Sequence, residues 1–435
     1  MVPTKRFWVL AALGIPVGVL AGMSGSLWPL VGYDVLLLLA LVVSYRLAPD
    51  VRHLQISRSF DPVLSVRTAN RIVVKVVNDG VEEIRGTLRD EPPPGFGASR
   101  REFALDVRPG RQAQVEYLLT PTERGGDFFR GSFLRQECPL GLAERIVRLP
   151  TEQPVRVYPN VLALKEFDLL KQRGRLNQMG IRKSRVRGLG SEFESLRDYG
   201  EGDDFRKIDW KATARRGKLV VRQYEQERNQ AVVICLDIGR RMLSEIDGVT
   251  KLDLALDAIL MLAHAATHGG DNVGLLVYAD RVRRYIPPGK GRGQSAAIIE
   301  AVHDLVAEPI ESDHGAAFAY LGSRWKRRSL LVAFADADDR ESAEGLTAAI
   351  GPVARRHLTL LARVADPRLN EAVGSPLTDS EALYLRSAGL LLKDDRRDAA
   401  MVFEAANLHT LEAEPQDLTG ALVSYYFLVK ERSLL

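Results

Sequence analysis

Two apolar runs near the start of the chain constrain its fold more than any other feature of the sequence. They are FWVLAALGIPVGVLAGM, residues 7–23, and LWPLVGYDVLLLLALVVSY, residues 27–45. Each run approaches the roughly 20 apolar residues that a helix needs to cross a bilayer. Lys5 and Arg6 precede the first run, so a signal peptide is the alternative interpretation. Two successive runs joined by a very short connection favour a transmembrane helical hairpin over residues 1–47.

The basic residues that flank this hairpin predict its orientation. They are Lys5 and Arg6 before the first run and Arg46, Arg52 and Arg58 after the second. Because basic flanks are enriched on the cytoplasmic side of a membrane, both ends of the hairpin are expected there. We therefore expect a multi-pass protein of the bacterial inner membrane whose remaining domains face the cytoplasm.

The composition describes a folded protein of several domains. A chain of 435 residues is long enough for two or three domains, and 46% hydrophobic residues are ordinary for a folded protein. The 60 basic and 56 acidic residues nearly balance, which is unlike the concentrated basic excess of a nucleic-acid binder. Two cysteines, Cys138 and Cys235, give no disulfide framework and suit a reducing compartment.

The hydrophobic pattern changes twice after the hairpin. Residues 48–160 contain short alternating runs such as RIVVKVVND, separated by proline- and glycine-rich turns, which predicts a β-sandwich. Residues 161–190 begin with helical spacing and become basic, so we expect a helical and basic linker. In residues 191–435, apolar runs such as QAVVICLDIG alternate with helical patterns. Strands buried on both faces and separated by helices predict a doubly wound α/β domain.

One stretch just before this alternation is densely charged and also aromatic: FESLRDYGEGDDFRKIDWKATAR, residues 193–215. Acids near Lys211 could hold a metal for phosphodiester cleavage, and the basic residues could bind nucleic acid. A third interpretation explains the aromatic residues best. It is a domain clasp or partner surface, in which the aromatic rings pack on the α/β domain and the charges form a network. The residues assigned to it are Arg197, Tyr199, Asp203, Asp204, Arg206, Asp209, Trp210 and Arg215.

The same region carries a family resemblance. GSEFESLRDYGEGDDFRKIDWKATARRGKLVVRQYEQE, followed by VVICLDIGRRM, resembles the signature of the DUF58 family. Members of that family carry a von Willebrand A-like domain, often after a membrane hairpin and a β-rich segment. The resemblance implies a partnership with a MoxR-type AAA+ ATPase. It implies no established enzymatic activity.

A von Willebrand A-like domain holds Mg²⁺ through the pattern Asp-x-Ser-x-Ser, a threonine from a second loop and a later aspartate. Here the resemblance places the acids at Asp237 and Asp336, but Gly239 and Arg241 stand where the two serines are expected. The expected second loop, residues 312–320, offers alanine in place of threonine. We therefore expect a degenerate metal site, no cofactor, and a guanidinium of the same loop paired with Asp237.

Two histidines, His264 and His268, are four residues apart on a predicted helix, which is a spacing that zinc ligands use. No glutamate lies between them, and Gly269 follows directly. We expect them to complement the dipole at the end of this helix rather than to bind a metal.

Together these features predict a membrane-anchored cytoplasmic protein-interaction module. It would serve the ATPase in the assembly or maturation of a complex that contains an unidentified client protein. The alternative is a metal-dependent phosphodiesterase that acts through Asp203, Asp204, Asp209 and Lys211.

Overall fold

The computed structural model describes residues 2–181, 192–200, 205, 208–225, 229–376, 379–432 and 434–435. The chain forms two compact units, Met1–Asn160 and Val161–Leu435.

The first unit begins with two apolar helices, α1 (Lys5–Ser24) and α2 (Trp28–Arg46). Both are long and apolar enough to cross a membrane, and most of their large apolar side chains are exposed. The predicted helix pair is thus confirmed. Thr4 and Ser44 hold its two ends to one loop of the β-rich part, because Thr4 donates from its backbone to Leu142 and Ser44 donates to the carbonyl of Pro139. The start of α1 and the end of α2 therefore both lie beside the same loop, residues 139–142.

The rest of the first unit is β-structure. Its sheets have the strand orders β1-β11-β10-β5-β7, β2-β4-β8-β6 and β3-β12-β9. Along β4, alternate residues such as Ile72, Val74 and Val76 are buried, and all three sheets contribute to one apolar core. The β-rich character that the sequence predicted is confirmed. The strands are β1 Val2–Pro3, β2 Leu54–Phe60, β3 Leu64–Ser65, β4 Asn70–Asn78, β5 Ile84–Glu91, β6 Gly97–Ala98, β7 Glu102–Val107, β8 Gln112–Thr120, β9 Gly125–Phe129, β10 Gly131–Glu137, β11 Ala143–Leu149 and β12 Gln153–Tyr158.

One basic residue assigned to the membrane flank has a different role. Arg58 is buried in the β-rich part, where its guanidinium pairs with Asp90. Tyr117 and Ser132 also donate hydrogen bonds to that carboxylate, at 2.7 and 2.9 Å. Because Arg58 forms this internal ion pair, it does not contribute to the positive flank of the helical hairpin.

The second unit is built on a sheet of order β19-β18-β15-β20-β21-β22, in which β19 alone among these strands runs antiparallel to its neighbour. Its strands are β13 Glu192–Asp198, β14 Val220–Glu225, β15 Ala231–Asp237, β16 Glu245–Ile246, β17 Val249–Thr250, β18 Asn272–Tyr278, β19 Val282–Gly289, β20 Leu330–Phe334, β21 Leu358–Val364 and β22 His409–Ala413. Its helices are α3 Leu162–Gln172, α4 Trp210–Arg216, α5 Lys251–His268, α6 Gly291–Val302, α7 His314–Arg324, α8 Arg340–Ala354, α9 Pro367–Gly374, α10 Ser380–Ala405 and α11 Pro415–Glu431.

Helices cover both faces of this sheet. Alternate residues of β15 point to opposite sides, with Ile234 in the core beneath α5, α6 and α11 and Cys235 in the core beneath α7, α8 and α10. Every residue of β15 is buried, as the continuous apolar run predicted. The doubly wound α/β prediction is confirmed.

The helix expected at the start of residues 161–190 is present as α3, but it does not belong to a linker. Leu164 and Phe167 of α3 are buried against Met261 and Ala265 of α5, so α3 is part of the second unit. The amphipathic face of α3 explains this, because it supplies apolar residues one turn apart that need a partner. The basic stretch at 182–190 lies outside the described residues.

Candidate functional site

The carboxyl edge of the parallel sheet gathers the acids that the sequence singled out. Asp237 is the last residue of β15, and Asp336 follows β20. These two strands are neighbours and run parallel, so both acids lie at the same edge. Ligands of open α/β sheets bind at this edge.

Two buried cations neutralise Asp336, which is 4% exposed. The ammonium of Lys251, at the start of α5, donates to Oδ2, and Nε of Arg363, near the end of β21, donates to Oδ1 at 3.1 Å. Burial opposes the charged form of this carboxyl group. The two cations outweigh burial and hold the pKa of Asp336 below its usual range.

Arg363 also belongs to a wider group of charges at this edge. Its Nη2 donates to Asp338 at 3.2 Å, and its Nη1 lies 3.5 Å from Glu412. Arg396 of α10 contacts the same two acids, at 3.1 and 3.7 Å. Two arginines and two acids thus bridge β21, β22 and α10. We call Lys251, Asp336, Asp338, Arg363, Arg396 and Glu412 the carboxyl-edge network.

Asp237 is held by hydrogen bonds and is 1% exposed. Its Oδ1 accepts from the backbone of Gly239 at 2.8 Å and from the hydroxyl of Ser312. Burial raises the pKa of Asp237, although these two donors act in the opposite direction. The two acids of the edge therefore have opposite electrostatic environments.

The expected ion pair between Asp237 and its own loop is wrong. Arg240 pairs with Glu311, while Arg241 donates to Ser342 at 2.6 Å and lies 3.5 Å from Asp339. Each guanidinium finds a more exposed acceptor than Asp237, which avoids the cost of burying another charge.

Ser312 supplies a hydroxyl where the motif lacks one, a role that the sequence pattern did not predict. A Cβ atom at Gly239 would collide with the hydroxyl oxygen of Ser312 and would lie 2.9 Å from the carbonyl of Ile310. The hydroxyl of Ser312 therefore occupies the space beside Asp237 that a serine at 239 would need. The predicted loop 312–320 is also wrong beyond this residue, because Asp313 caps α7, which begins at His314.

The charged and aromatic stretch forms a separate feature, which we call the signature hairpin: β13, α4 and β14 together with the described residues that connect them. Strands β13 and β14 pair antiparallel, and Ile208 bridges to Val221. The side chain of Asp209 accepts from the backbone of Ala212 at 2.9 Å and so caps the start of α4. Ile208, Val220 and Val221 are buried.

The proposed clasp is wrong in its central contact. The side chain of Trp210 is 67% exposed and that of Phe205 is 68% exposed, so neither ring is buried against the α/β sheet. Helix α4 is short, and it places Trp210 at its first residue, away from the buried side of the hairpin. The ring of Tyr199 contacts that of Phe205 at a centroid distance of 5.4 Å.

The other residues of the predicted cluster are only partly placed. Arg215 lies on α4 and is exposed, as is Lys211. Arg197 lies in β13. Asp203, Asp204 and Arg206 lie outside the described residues, so the hydrolase cluster stays a prediction.

Comparison with known proteins adds a family match. The model of the family described as "Protein of unknown function DUF58" matches residues 195–382, which include most of the signature hairpin and much of the parallel sheet. The uncharacterized protein Rv1480 of Mycobacterium tuberculosis is 26% identical over 242 residues, 52% of this chain and 73% of the relative. The uncharacterized protein YeaD of Bacillus subtilis is 26% identical over 157 residues, 34% of this chain and 38% of the relative.

Among solved structures, BatB from Bacteroides thetaiotaomicron is 14% identical, with a TM-score of 0.28, and covers 45% of this chain and 98% of its own. The CARDB domain of PF1109 from Pyrococcus furiosus is 15% identical, with a TM-score of 0.18, and covers 26% of this chain and 94% of its own. These likenesses are too weak to indicate a fold or a function. The comparisons thus connect residues 195–382 of this chain to the DUF58 family.

Proposed function

We propose that this protein is a membrane-anchored interaction module that binds another protein through its signature hairpin. The observation that carries this proposal is the exposure of Phe205 and Trp210, two large aromatic side chains on one small element. Aromatic residues, tryptophan above all, supply much of the binding energy at protein interfaces. The hairpin itself is kept folded by the buried residues Ile208 and Val221 and by the cap at Asp209, so its exposed rings are available to a partner.

The partner that we propose is a MoxR-type AAA+ ATPase, which the resemblance to the DUF58 family suggests. The complex would act in the assembly or maturation of a client protein. We propose further that the α/β unit is a von Willebrand A-like domain, since acids follow two neighbouring parallel strands in the positions that this type of domain uses.

In this proposal the carboxyl edge serves binding or stability and needs no Mg²⁺. A divalent cation at Asp336 would compete with the ammonium of Lys251 and the guanidinium of Arg363 for the same carboxylate. A metal ion would be a third cation there and would leave an excess of buried positive charge, which is strongly unfavourable. The donor set at Asp237, one serine hydroxyl and one backbone amide, already satisfies that carboxyl oxygen.

For the membrane, we propose that α1 and α2 form a hairpin with both ends and both units on the cytoplasmic side. Lys5, Arg6, Arg46 and Arg52 remain as the positive flank after Arg58 is removed from it. The attachment of both helix ends to one loop of the first unit agrees with this arrangement.

A binding experiment tests the proposed function. The full chain in detergent micelles is mixed with a purified MoxR-type ATPase from the same organism, and the affinity is measured with ATP and with ADP. We expect binding that Trp210→Ala weakens by about tenfold or more, as is typical of an exposed aromatic anchor. Tyr384→Ala is the matched control, because Tyr384 is an exposed aromatic residue of α10 outside the hairpin, at 74% exposure.

Equal binding by Trp210→Ala and the wild type would remove the hairpin from the interface. The same preparation also tests the alternative function. Phosphodiesterase activity with Mg²⁺ or Mn²⁺ that disappears in Asp209→Asn would favour the metal-dependent hydrolase over the interaction module.

A further inference from the structure

A cluster of possible metal ligands lies on the second unit, where α3 packs against the end of α5. The contact is apolar at its centre, with Phe167 of α3 completely buried and Ala265 of α5 beside it in the same core. The next residue of α3, Asp168, consequently faces the last turns of α5. There its Oδ1 lies 2.9 Å from Nε2 of His264.

His268 completes the cluster. His264 and His268 are one helical turn apart and therefore share one side of α5. Their ring centroids are 4.0 Å apart. One possible ligand atom from each of Asp168, His264 and His268 lies within 4.8 Å of the other two. The sequence spacing of the two histidines was recognisable, but the carboxylate is 96 residues from His264 and only the packing of α3 brings it there.

Hydrogen bonds and ring contacts orient both imidazoles. Nδ1 of His268 lies 3.0 Å from the carbonyl oxygen of His264, so Nδ1 carries the proton and donates it. The neutral ring of His268 then has its lone pair on Nε2. The ring of His264 meets the edge of Phe167 at a centroid distance of 5.8 Å. Metal-binding histidines commonly donate the N–H of the ring nitrogen that does not bind the metal to a carbonyl or carboxylate, as His268 does here.

Burial of His264 favours the neutral form of its ring. Burial lowers the pKa of His264, and the nearby His268 and Lys171 act in the same direction, while Asp168 opposes them. In the structure Nε2 of His264 donates to the carboxylate of Asp168, so the ring proton must move to Nδ1 before Nε2 can bind a metal beside that carboxylate. Lys171 lies one turn beyond Asp168 on α3, and its charge reduces the affinity for a cation.

We propose that Asp168, His264 and His268 bind one Zn²⁺ ion. Two imidazoles and one carboxylate are a ligand set that zinc uses in three-ligand sites, with the fourth position open to water or to another molecule. Bonds of about 2.1 Å in tetrahedral geometry place ligand atoms about 3.4 Å apart, so small side-chain rotations bring this cluster to the required spacing. Mg²⁺ prefers oxygen ligands in octahedral geometry and does not fit it.

This site is independent of the proposed interaction function. It lies on the α3 and α5 surface, whereas the proposed partner binds the signature hairpin. His268 is exposed, so an ion can enter from solvent.

Calorimetric titration with zinc sulfate tests the proposal. The full chain is prepared in detergent without a polyhistidine tag, treated with a chelator and exchanged into buffer. We expect one equivalent of Zn²⁺ to bind with a dissociation constant at or below the micromolar range, and no binding of Mg²⁺. Because zinc binds the folded protein, it should also raise the melting temperature of the α/β unit.

Two substitutions test the ligands. His268→Ala and Asp168→Asn should each weaken zinc binding by about tenfold or more and reduce the thermal shift. His409→Ala is the matched control, because His409 is an exposed histidine of β22 outside the cluster, and it should leave both measurements unchanged. Circular dichroism without zinc shows that each variant is folded, and His268→Gln replaces His268→Ala if the latter unfolds. The proposal is overturned if the wild type binds no zinc, or if the His268 and Asp168 variants bind it as tightly as the wild type.

Discussion

Lys251 and Asp336 are 85 residues apart, yet the ammonium of one donates to the carboxylate of the other inside the carboxyl edge of the sheet. Both side chains are almost fully buried, and Arg363 is the second cation on the same carboxylate. Asp336 is therefore the counter-ion of two buried cations. Asp237, at the end of the adjacent strand β15, instead accepts hydrogen bonds from neutral donors.

This difference predicts that the two acids respond unequally to the same substitution. Asp336→Asn removes the charge that neutralises Lys251 and Arg363 and should lower the free energy of unfolding by about 3–5 kcal/mol. Asp237→Asn keeps an oxygen that can accept from Gly239 and Ser312, so its effect should stay within about 1 kcal/mol. Urea-induced unfolding of the detergent-solubilised chain, followed by circular dichroism, measures both. A shared metal site would make the two variants behave alike, and equal losses would contradict the ion-pair account.

The pH dependence of the two variants should also have opposite signs. The pKa of Asp336 is lowered in the folded state, so its stabilising contribution is present above about pH 3.9 and is lost as the pH falls through the folded pKa. The stability that Asp336→Asn lacks relative to the wild type should therefore shrink as the solution becomes acidic.

The pKa of Asp237 is raised by burial, so wild-type stability falls as the pH rises through the pKa of Asp237 in the folded state. Asp237→Asn should gain on the wild type over that rise. Unfolding curves recorded at a series of pH values decide both signs.

The sheet was predictable from the sequence because its strands are apolar runs separated by amphipathic helices. Strand β22 was not, since it is a short edge strand whose residues are largely polar. The hydroxyl of Ser312 and the cations Lys251 and Arg363 were missed because they reach the two acids only through tertiary packing. A possible signal was Arg363 itself, a lone charge near the end of the apolar run LTLLARV. The aromatic residues of the signature hairpin were misplaced because an interleaved pattern does not show which rings are buried.

Gly239 should not tolerate the serine that the metal-site pattern contains. The new Cβ would collide with the hydroxyl of Ser312 and approach the carbonyl of Ile310 to 2.9 Å. The backbone of Gly239 is extended, with φ at −75°, so the cost is steric crowding and not dihedral strain. We expect Gly239→Ser to destabilise the chain by about 1–3 kcal/mol.

A second substitution separates this crowding from other causes. Ser312→Gly removes the obstructing hydroxyl, so the double variant Gly239→Ser, Ser312→Gly should recover part of the lost stability. Recovery is expected to be incomplete because the carbonyl of Ile310 remains. Losses that simply add in the double variant would show that the two side chains do not compete for the same space.

The orientation of the helical hairpin can be tested directly. Lys5, Arg6, Arg46 and Arg52 form the positive flank, and both hairpin ends contact one loop of the first unit. A reporter fused after residue 50 should therefore behave as cytoplasmic in a bacterial host. A fusion after residue 25, between the two helices, should give the opposite signal. A periplasmic signal from the first fusion would contradict the orientation of the whole chain.

Within the signature hairpin, stability and binding should separate between adjacent residues. Ile208 is 6% exposed and pairs with β14, so Ile208→Ala should cost about 2–4 kcal/mol by leaving a cavity. Asp209→Ala removes the cap of α4 and should cost about 1 kcal/mol. Trp210→Ala removes a side chain that is mostly exposed, so the free energy of unfolding should change by no more than about 0.5 kcal/mol.

Denaturant unfolding of the three variants gives the stability order, and the ATPase-binding measurement is made on the same samples. We expect Trp210→Ala to lose binding at unchanged stability. A large loss of stability in Trp210→Ala would instead mean that the ring is buried in the folded protein and that the hairpin is a clasp.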